Sequence, residues 1–335
     1  MCIFLAENNL SLSLIDKLIP LLRCCFPNDE CLRTLKLAKQ KASNNKELMP
    51  NLLTVSCSSY SAHLCASYAC KRLPKEMEDV MRGIYNQFSR SSARKREFAK
   101  FQEFVHAAEY TILSPGQTRW LSEEACVNRT LEQREALILY FQVESVEDPT
   151  AANTLIHTML SNEMTVPFLE FTSYALHCFN EFNTLFQSAS PKLHLLQERV
   201  SSLIKDFAQN FMHFRYVVDC CPTKIDPYLS TQYVPLEKVY LGMAATESIK
   251  KLSLENQQFV IKHCRSFYIQ AILEIQKRYD LNDPFFEIVK LVNPVNARKR
   301  NPDSLINLFR QYPNLEKQLN SSHADREWRS HSLLE

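Results

Sequence analysis

Apolar residues recur every three or four positions along most of the chain, which is the spacing of one face of an α-helix. One sustained stripe consists of Leu193, Leu196, Val200, Leu203, Phe207 and Phe211. A second long helix is predicted by the stripe of Val260, Cys264, Phe267, Ala271 and Ile275. Between the two, Pro222, Pro227 and Pro235 predict an irregular connection, because proline interrupts helical hydrogen bonding.

Shorter helices are predicted in the N-terminal third of the chain. They lie at about 60–72, at 75–89 and at 91–109, and the last of them is basic at its start. Leu52 to Ser56 is the best candidate for a strand, and Ser114-Pro115-Gly116 interrupts the helical pattern. The rest of the chain is predicted to be helical almost to its end.

Composition supports a mainly helical protein. Of the 335 residues, 45% are hydrophobic and 23% are charged, and only 3 are glycine. Because strand-rich folds usually need glycine in their turns and bulges, this shortage favours helices. The net charge of +2 is too small to indicate nucleic-acid binding by itself, so any basic surface has to be local.

Cysteine usage and hydropathy indicate the cellular compartment in which the protein is expected. The 12 cysteines form no Cys-x-x-Cys pattern and are predicted to be reduced, buried thiols. The first ten residues lack the basic region of a signal peptide, and no stretch of about 18 uncharged apolar residues would span a membrane. We therefore expect an intracellular protein, nuclear or cytoplasmic, with no membrane partner.

Three stretches carry motifs that belong together. The first runs from Glu7-Asn8-Asn9-Leu10-Ser11 to Cys25-Phe26-Pro27-Asn28. The second joins His63-Leu64-Cys65, Ile84-Tyr85-Asn86-Gln87-Phe88-Ser89 and Gln117-Thr118-Arg119-Trp120-Leu121-Ser122. The third joins Leu185-Phe186-Gln187-Ser188, the run from Tyr233 to Gly242, and Asp325-Arg326-Glu327-Trp328-Arg329. In order and spacing these stretches resemble hAT-family DNA transposases.

The resemblance implies a fold and a division into domains. The fold class expected is mainly α, with a large helical insertion-type domain and a small degenerate RNase H-like α/β remnant. The domains expected are an N-terminal helical segment and linker at 1–50, the RNase H-like remnant at 51–112 and the all-helical domain at 113–335.

The family's active site is a carboxylate triad that holds divalent metal ions. Its first two carboxylates should lie between the N-terminal segment and His63, where the sequence has only the short linker 43–51. The third should lie near a C-terminal segment that the sequence, which ends at Glu335, does not include. Tyr60 also stands where the family's Cys-x-x-His motif, starting here at Cys57, has its histidine. We therefore predict no catalytic residue, no metal, no cofactor and no enzymatic activity.

Two groups of residues are candidates for nucleic-acid binding. Trp120 and Arg119 match an Arg-Trp pair whose tryptophan, by the resemblance, stacks on a flipped base; the alternative is a tryptophan that anchors the next helix. Five basic residues against a single acid, Glu97, could form a phosphate-contacting face or merely a solvated helix end. These five are Arg90, Arg94, Lys95, Arg96 and Lys100.

Other clusters of polar or charged residues are interpreted as structural. Cys57, His63, Cys65 and Cys70 have the residue types of a zinc site, but their spacing fits no tight tetrahedral motif. Arg298-Lys299-Arg300 is interpreted as a solvated loop, with phosphate contact as the alternative. Glu123 and Glu124 are interpreted as solvated or capping charges at a helix edge.

Together these features predict a non-catalytic, transposase-derived protein that binds nucleic acid, protein or both in the nucleus. The partners expected are DNA and a protein, with no small-molecule substrate. Two alternatives stay open: a transposase remnant without function, and a pure protein-interaction scaffold.

Overall fold

The structure is a computed structural model that describes residues 57–113, 123–187, 192–283, 285–291, 304–311, 313 and 319–333. The fold is mainly α-helical, as predicted, and the described residues contain no β-strand. None of the helices in these ranges combines the length and the apolar character needed to cross a membrane.

The helices are numbered in chain order. The first seven are α1 (Ser58–Cys70), α2 (Lys75–Ser89), α3 (Ser92–Phe104), α4 (Glu123–Glu132), α5 (Arg134–Glu147), α6 (Ala151–Ser161) and α7 (Thr165–Phe186). The remaining ones are α8 (Leu196–Ala208), α9 (Phe214–Asp219), α10 (Met243–Ser248), α11 (Leu254–Arg278), α12 (Phe285–Leu291), α13 (Ile306–Gln311) and α14 (Ser321–Ser330).

Several helices begin at a residue whose side chain satisfies a free backbone donor. Ser91, Thr150 and Ser253 accept hydrogen bonds from the backbone N–H three residues later, at the starts of α3, α6 and α11. Such caps replace one of the hydrogen bonds that the first turn of a helix lacks. The three helices are therefore fixed at their starts by local sequence.

One compact unit spans Cys57–Phe286. Its first core joins α2, α3, α5 and α6 around the phenol ring of Tyr140. The ring of Phe88 lies 5.0 Å from the Tyr140 ring and 4.8 Å from that of Phe98, in tilted contacts typical of aromatic cores. The buried stripe of α2, from Met77 to Phe88, is the one that its spacing predicts.

The second core of this unit joins α1, α7, α8 and α11. Its centre is the fully buried ring of Tyr268, which contacts the rings of Phe171, Phe207 and Phe211. The α11 stripe from Val260 to Ile275 is buried as predicted. The α8 stripe is also buried from Leu196 to Phe207, and Phe211 follows it into the core.

The connection between α8 and α11 is irregular, as its prolines predict. It consists of single turns of helix and one isolated antiparallel bridge between Met212 and Tyr233. Hydrogen bonds attach it to the second core, from Tyr240 N–H to the Asn210 carbonyl (2.8 Å) and from Tyr268 Oη to the Tyr240 carbonyl (2.8 Å). A glycine, Gly242, ends this segment with φ of 87°.

The structure differs from two predictions made for the N-terminal third of the chain, or does not test them. The helix predicted at 91–109 ends earlier, at Phe104, because the chain turns at His106 (φ 56°). The turn is held by the Gln102 side-chain amide, which donates to the Tyr110 carbonyl (3.0 Å). Of the predicted RNase H-like remnant, the described residues 57–112 contain the helices α1, α2 and α3 and no strand. The strand candidate at 52–56 lies outside the described residues, as does the segment 1–50.

The described residues after Phe286 belong to a second unit. Within it, the Asp325 carboxylate on α14 accepts hydrogen bonds from Ser304 Oγ (2.8 Å) and from the Leu305 backbone N–H (2.7 Å), just before α13. The indole ring of Trp328 stacks on the imidazole of His331. The predicted boundary between domains at 112 and 113 stays a prediction.

Candidate nucleic-acid interface

The predicted basic face lies where α2 ends and α3 begins. Phe98 and Gln102 form the buried side of α3, and Gln102 also donates to Gln133 Oε1 (2.7 Å) across the core. This buried side fixes the rotation of α3 about its own axis. The basic side chains therefore leave α3 over its remaining surface instead of forming one narrow stripe.

Arg94 differs from the other four basic residues because it makes contacts within the protein. Its Nη1 donates to Gln87 Oε1 (3.2 Å), and its Nη2 lies 3.8 Å from the Asp148 carboxylate. The side chain is 40% exposed. Arg94 thus joins the ends of α2, α3 and α5, and its charge is partly offset there.

The other four basic residues of the set are exposed. Among the described residues, no carboxylate forms a salt bridge with Arg90, Lys95, Arg96 or Lys100. Four unpaired cations within eleven residues can each meet a phosphate without first breaking an internal ion pair. The structure therefore leaves this part of the predicted face available for binding.

Two glutamates reduce the positive electrostatic potential of this surface. Arg96 and Lys100 line a shallow depression with Glu103 and Glu109. Since carboxylates repel phosphates, this depression is less favourable to a nucleic acid than the surface near Lys95 and Arg90. We expect the contact to be centred at the start of α3.

The other predicted binding residues lie outside the described residues. They are Arg119, Trp120 and the basic cluster Arg298-Lys299-Arg300. Their role in base stacking or phosphate contact stays a prediction.

The four residues considered for zinc are not brought together as a site. Cys57 is exposed, whereas Cys65 and Cys70 are buried in α1. Burial raises the pKa of the Cys65 thiol to about 12, so this thiol is protonated at neutral pH. In the part of the chain that the structure describes, no three His, Cys, Asp or Glu side chains are arranged to hold a metal ion.

Glu123 and Glu124 lie in the first turn of α4, at a helix edge as predicted, but the structure corrects the interpretation of Glu123 as a solvated charge. Glu124 takes part in a polar network with α7, where its carboxylate lies 3.0 Å from His177 Nδ1 and also accepts from the Asn180 amide. Glu123 is only 1% exposed. The burial of Glu123 could have been predicted from helical spacing, because Glu123 lies on the same face of α4 as the buried residues Cys126, Val127 and Thr130.

A second surface feature lies at α9, away from any motif of the sequence analysis. Phe214 and Val218, one helical turn apart, are 71% and 49% exposed. Phe214 lines an open groove of about 700 Å³, together with His213, Arg215, Tyr216, Asp219, Cys220 and Gln232. Exposed apolar side chains beside polar ones are typical of protein-binding surfaces.

Comparisons of the chain with protein-family models, with curated proteins and with solved structures found no match.

Proposed function

We propose that this protein is a non-catalytic binding protein, derived from an hAT-type transposase, that contacts nucleic acid in the nucleus. The observation that carries the proposal is a set of four exposed cations at the end of α2 and along α3, none of which forms a salt bridge with a described carboxylate. The proposal includes a degenerate RNase H-like remnant at 51–112 and a helical insertion-type domain from 113 onward. It assigns no catalytic residue.

Phosphate contacts make binding dependent on salt. Each contact releases condensed counterions, so the logarithm of the affinity falls by about 0.9 per phosphate for each tenfold rise in salt. Arg90, Lys95 and Arg96 are the exposed cations of the set that lie nearest to the start of α3. If all three contact phosphate, they account for a slope of roughly 3.

We expect the triple variant Arg90→Ala, Lys95→Ala and Arg96→Ala to bind a short fluorescent DNA duplex at least about tenfold more weakly at 100 mM salt. The slope of log affinity against log salt should fall by about 2 to 3. Fluorescence anisotropy at several salt concentrations measures both quantities. Trp120→Ala in the same assay tests the stacking prediction.

The matched control removes three charges elsewhere in the same unit. Lys251, Lys262 and Lys277 are exposed, and their replacement by alanine changes the net charge equally. Equal losses in both triple variants would mean that only total charge matters. Absence of binding at low salt, with Trp120→Ala changing nothing, would remove the nucleic-acid part of the proposal.

A protein-interaction scaffold is the second candidate, and the exposed pair Phe214 and Val218 favours it. We expect the double variant Phe214→Ser and Val218→Ser to lose a captured protein partner in pull-downs that persist after nuclease treatment. The control pair is Val143→Ser and Val146→Ser on α5, whose side chains are 37% and 78% exposed. Capture that disappears with nuclease, or that the α9 variant retains, would count against this function.

A further inference from the structure

The carboxyl group of Glu123 is buried and finds no hydrogen-bond partner among the residues that the structure describes. The residue is 1% exposed, and neither Oε1 nor Oε2 receives a hydrogen bond. A carboxylate in this position would lose its hydration without replacement, which costs several kcal/mol in an apolar environment. Buried polar groups in folded proteins are otherwise nearly always hydrogen-bonded, so this exception requires an explanation.

The charged residues nearest to Glu123 do not neutralise it. On α2, Arg82 is the nearby cation, but its Nε (3.0 Å) and Nη2 (2.7 Å) both donate to Glu78 Oε1. Glu78 brings a second negative charge close to Glu123. On the α2 side, the Glu78 carboxylate therefore repels the Glu123 carboxylate, while the Arg82 guanidinium donates its hydrogen bonds to Glu78.

The remaining neighbours are thiols and a histidine that pairs elsewhere. Cys70, at the end of α1, and Cys126, one turn further along α4, are both buried near Glu123. On α7, His177 contacts Glu124 through Nδ1 and Glu181 through Nε2 (3.6 Å). These described residues of α1, α4 and α7 supply neither a hydrogen bond nor a cation to Glu123.

These surroundings favour the neutral acid. Burial raises the pKa of the Glu123 carboxyl from its ordinary value of 4.5 to about 8, with Glu78 adding to the rise and Arg82 opposing it. Between these two pH values the packed residue holds a proton that the same residue would lose in water. Opening of the site then releases a proton, so rising pH favours the open state.

We propose that the first turn of α4 is a pH-dependent conformational switch, packed against α2 while Glu123 is neutral and released when Glu123 loses its proton. The turn is suited to this role because Glu123 is its first residue and heads the buried stripe of the helix. The switch does not depend on nucleic-acid binding.

The test is hydrogen exchange of the backbone amides of α4 at pH 6 and pH 9, normalised to the intrinsic exchange rate. We expect the protection in the wild-type chain to fall roughly 100-fold over this range, since the packed and solvated carboxyls differ in proton affinity by more than three pH units. Glu123→Gln is an isosteric neutral mimic of the acid. Its α4 protection should change less than about threefold over the same range.

The control variant is Glu135→Gln, which removes an exposed glutamate from the first turn of α5. It should keep the wild-type pH dependence of α4. A second measurement, the carbon-13 NMR titration of the Glu123 carboxyl in the wild-type chain, should have its midpoint near pH 8. A midpoint below about 6, or equal pH dependence in the wild type and Glu123→Gln, would overturn the proposal.

Discussion

Gly242→Ala should lower the free energy of unfolding by roughly 3 kcal/mol, because both the backbone and the neighbouring ring exclude a methyl group there. Gly242 has φ of 87° and ψ of 156°, a conformation essentially restricted to glycine. A Cβ atom at this position would lie 2.7 Å from Cγ of Tyr174 and 2.8 Å from its Cβ.

Tyr174 has little freedom to move away from such a methyl group. Its ring packs edge-on against Tyr240, with 5.7 Å between the ring centroids, and its hydroxyl accepts a hydrogen bond from the Asn210 amide (3.5 Å). Any movement of the ring would therefore disturb the attachment of the irregular connection to α7. Strain and steric conflict add together at this residue.

Gly83 provides the control for Gly242. It lies within α2, where alanine is about 1 kcal/mol more favourable than glycine. Its added Cβ would meet the Ile156 side chain, at 2.8 Å from Cδ1, which is its flexible end, and at 3.2 Å from Cγ1. We expect Gly83→Ala to change stability by less than about 1 kcal/mol in guanidinium denaturation. Equal effects of the two variants would contradict the argument from backbone conformation.

Tyr268→Ala should destabilise the protein by about 4 kcal/mol, the usual cost of removing a large aromatic side chain from a core. The Tyr268 ring contacts four other rings, with centroids 5.3 Å from Phe171, 5.8 Å from Phe207, 6.0 Å from Phe211 and 6.2 Å from Phe267. The variant also removes the donor to the Tyr240 carbonyl.

Tyr268→Phe separates these two contributions. It keeps the ring and removes only the hydroxyl, so the expected loss is about 1 to 2 kcal/mol for the unpaired Tyr240 carbonyl. Guanidinium denaturation followed by circular dichroism compares both variants with the wild type. If Tyr268→Phe cost as much as Tyr268→Ala, the hydrogen bond rather than aromatic packing would stabilise this core.

The candidate interface was only partly predictable from the sequence. The sequence identified Arg90, Arg94, Lys95, Arg96 and Lys100 as one basic group, because they are close in the chain and outnumber the acids. It did not separate Arg94 from the rest. That separation depends on Gln87 at the end of α2 and on Asp148 after α5, and Asp148 is 54 residues away along the chain.

The packing of α1 shows a similar limit. Its buried residues are mostly small, as with Ala62, Ala66 and Ala69, and small residues permit close approach of α7 and α11 without indicating which helices approach. The sequence therefore predicted a helix there but not the helices it contacts. In the structure α1 packs against α7 and α11.

The sequence by itself determined the helical elements and their buried faces. Helical spacing is a local property, so the stripes of α2, α8 and α11 follow from neighbours three or four residues apart. Only the tertiary structure decided that Arg94 makes internal contacts, that Gly242 must be glycine and that the Glu123 carboxyl finds no hydrogen-bond partner among the described residues. Each of these depends on atoms contributed by distant helices, whose arrangement is set by long-range packing.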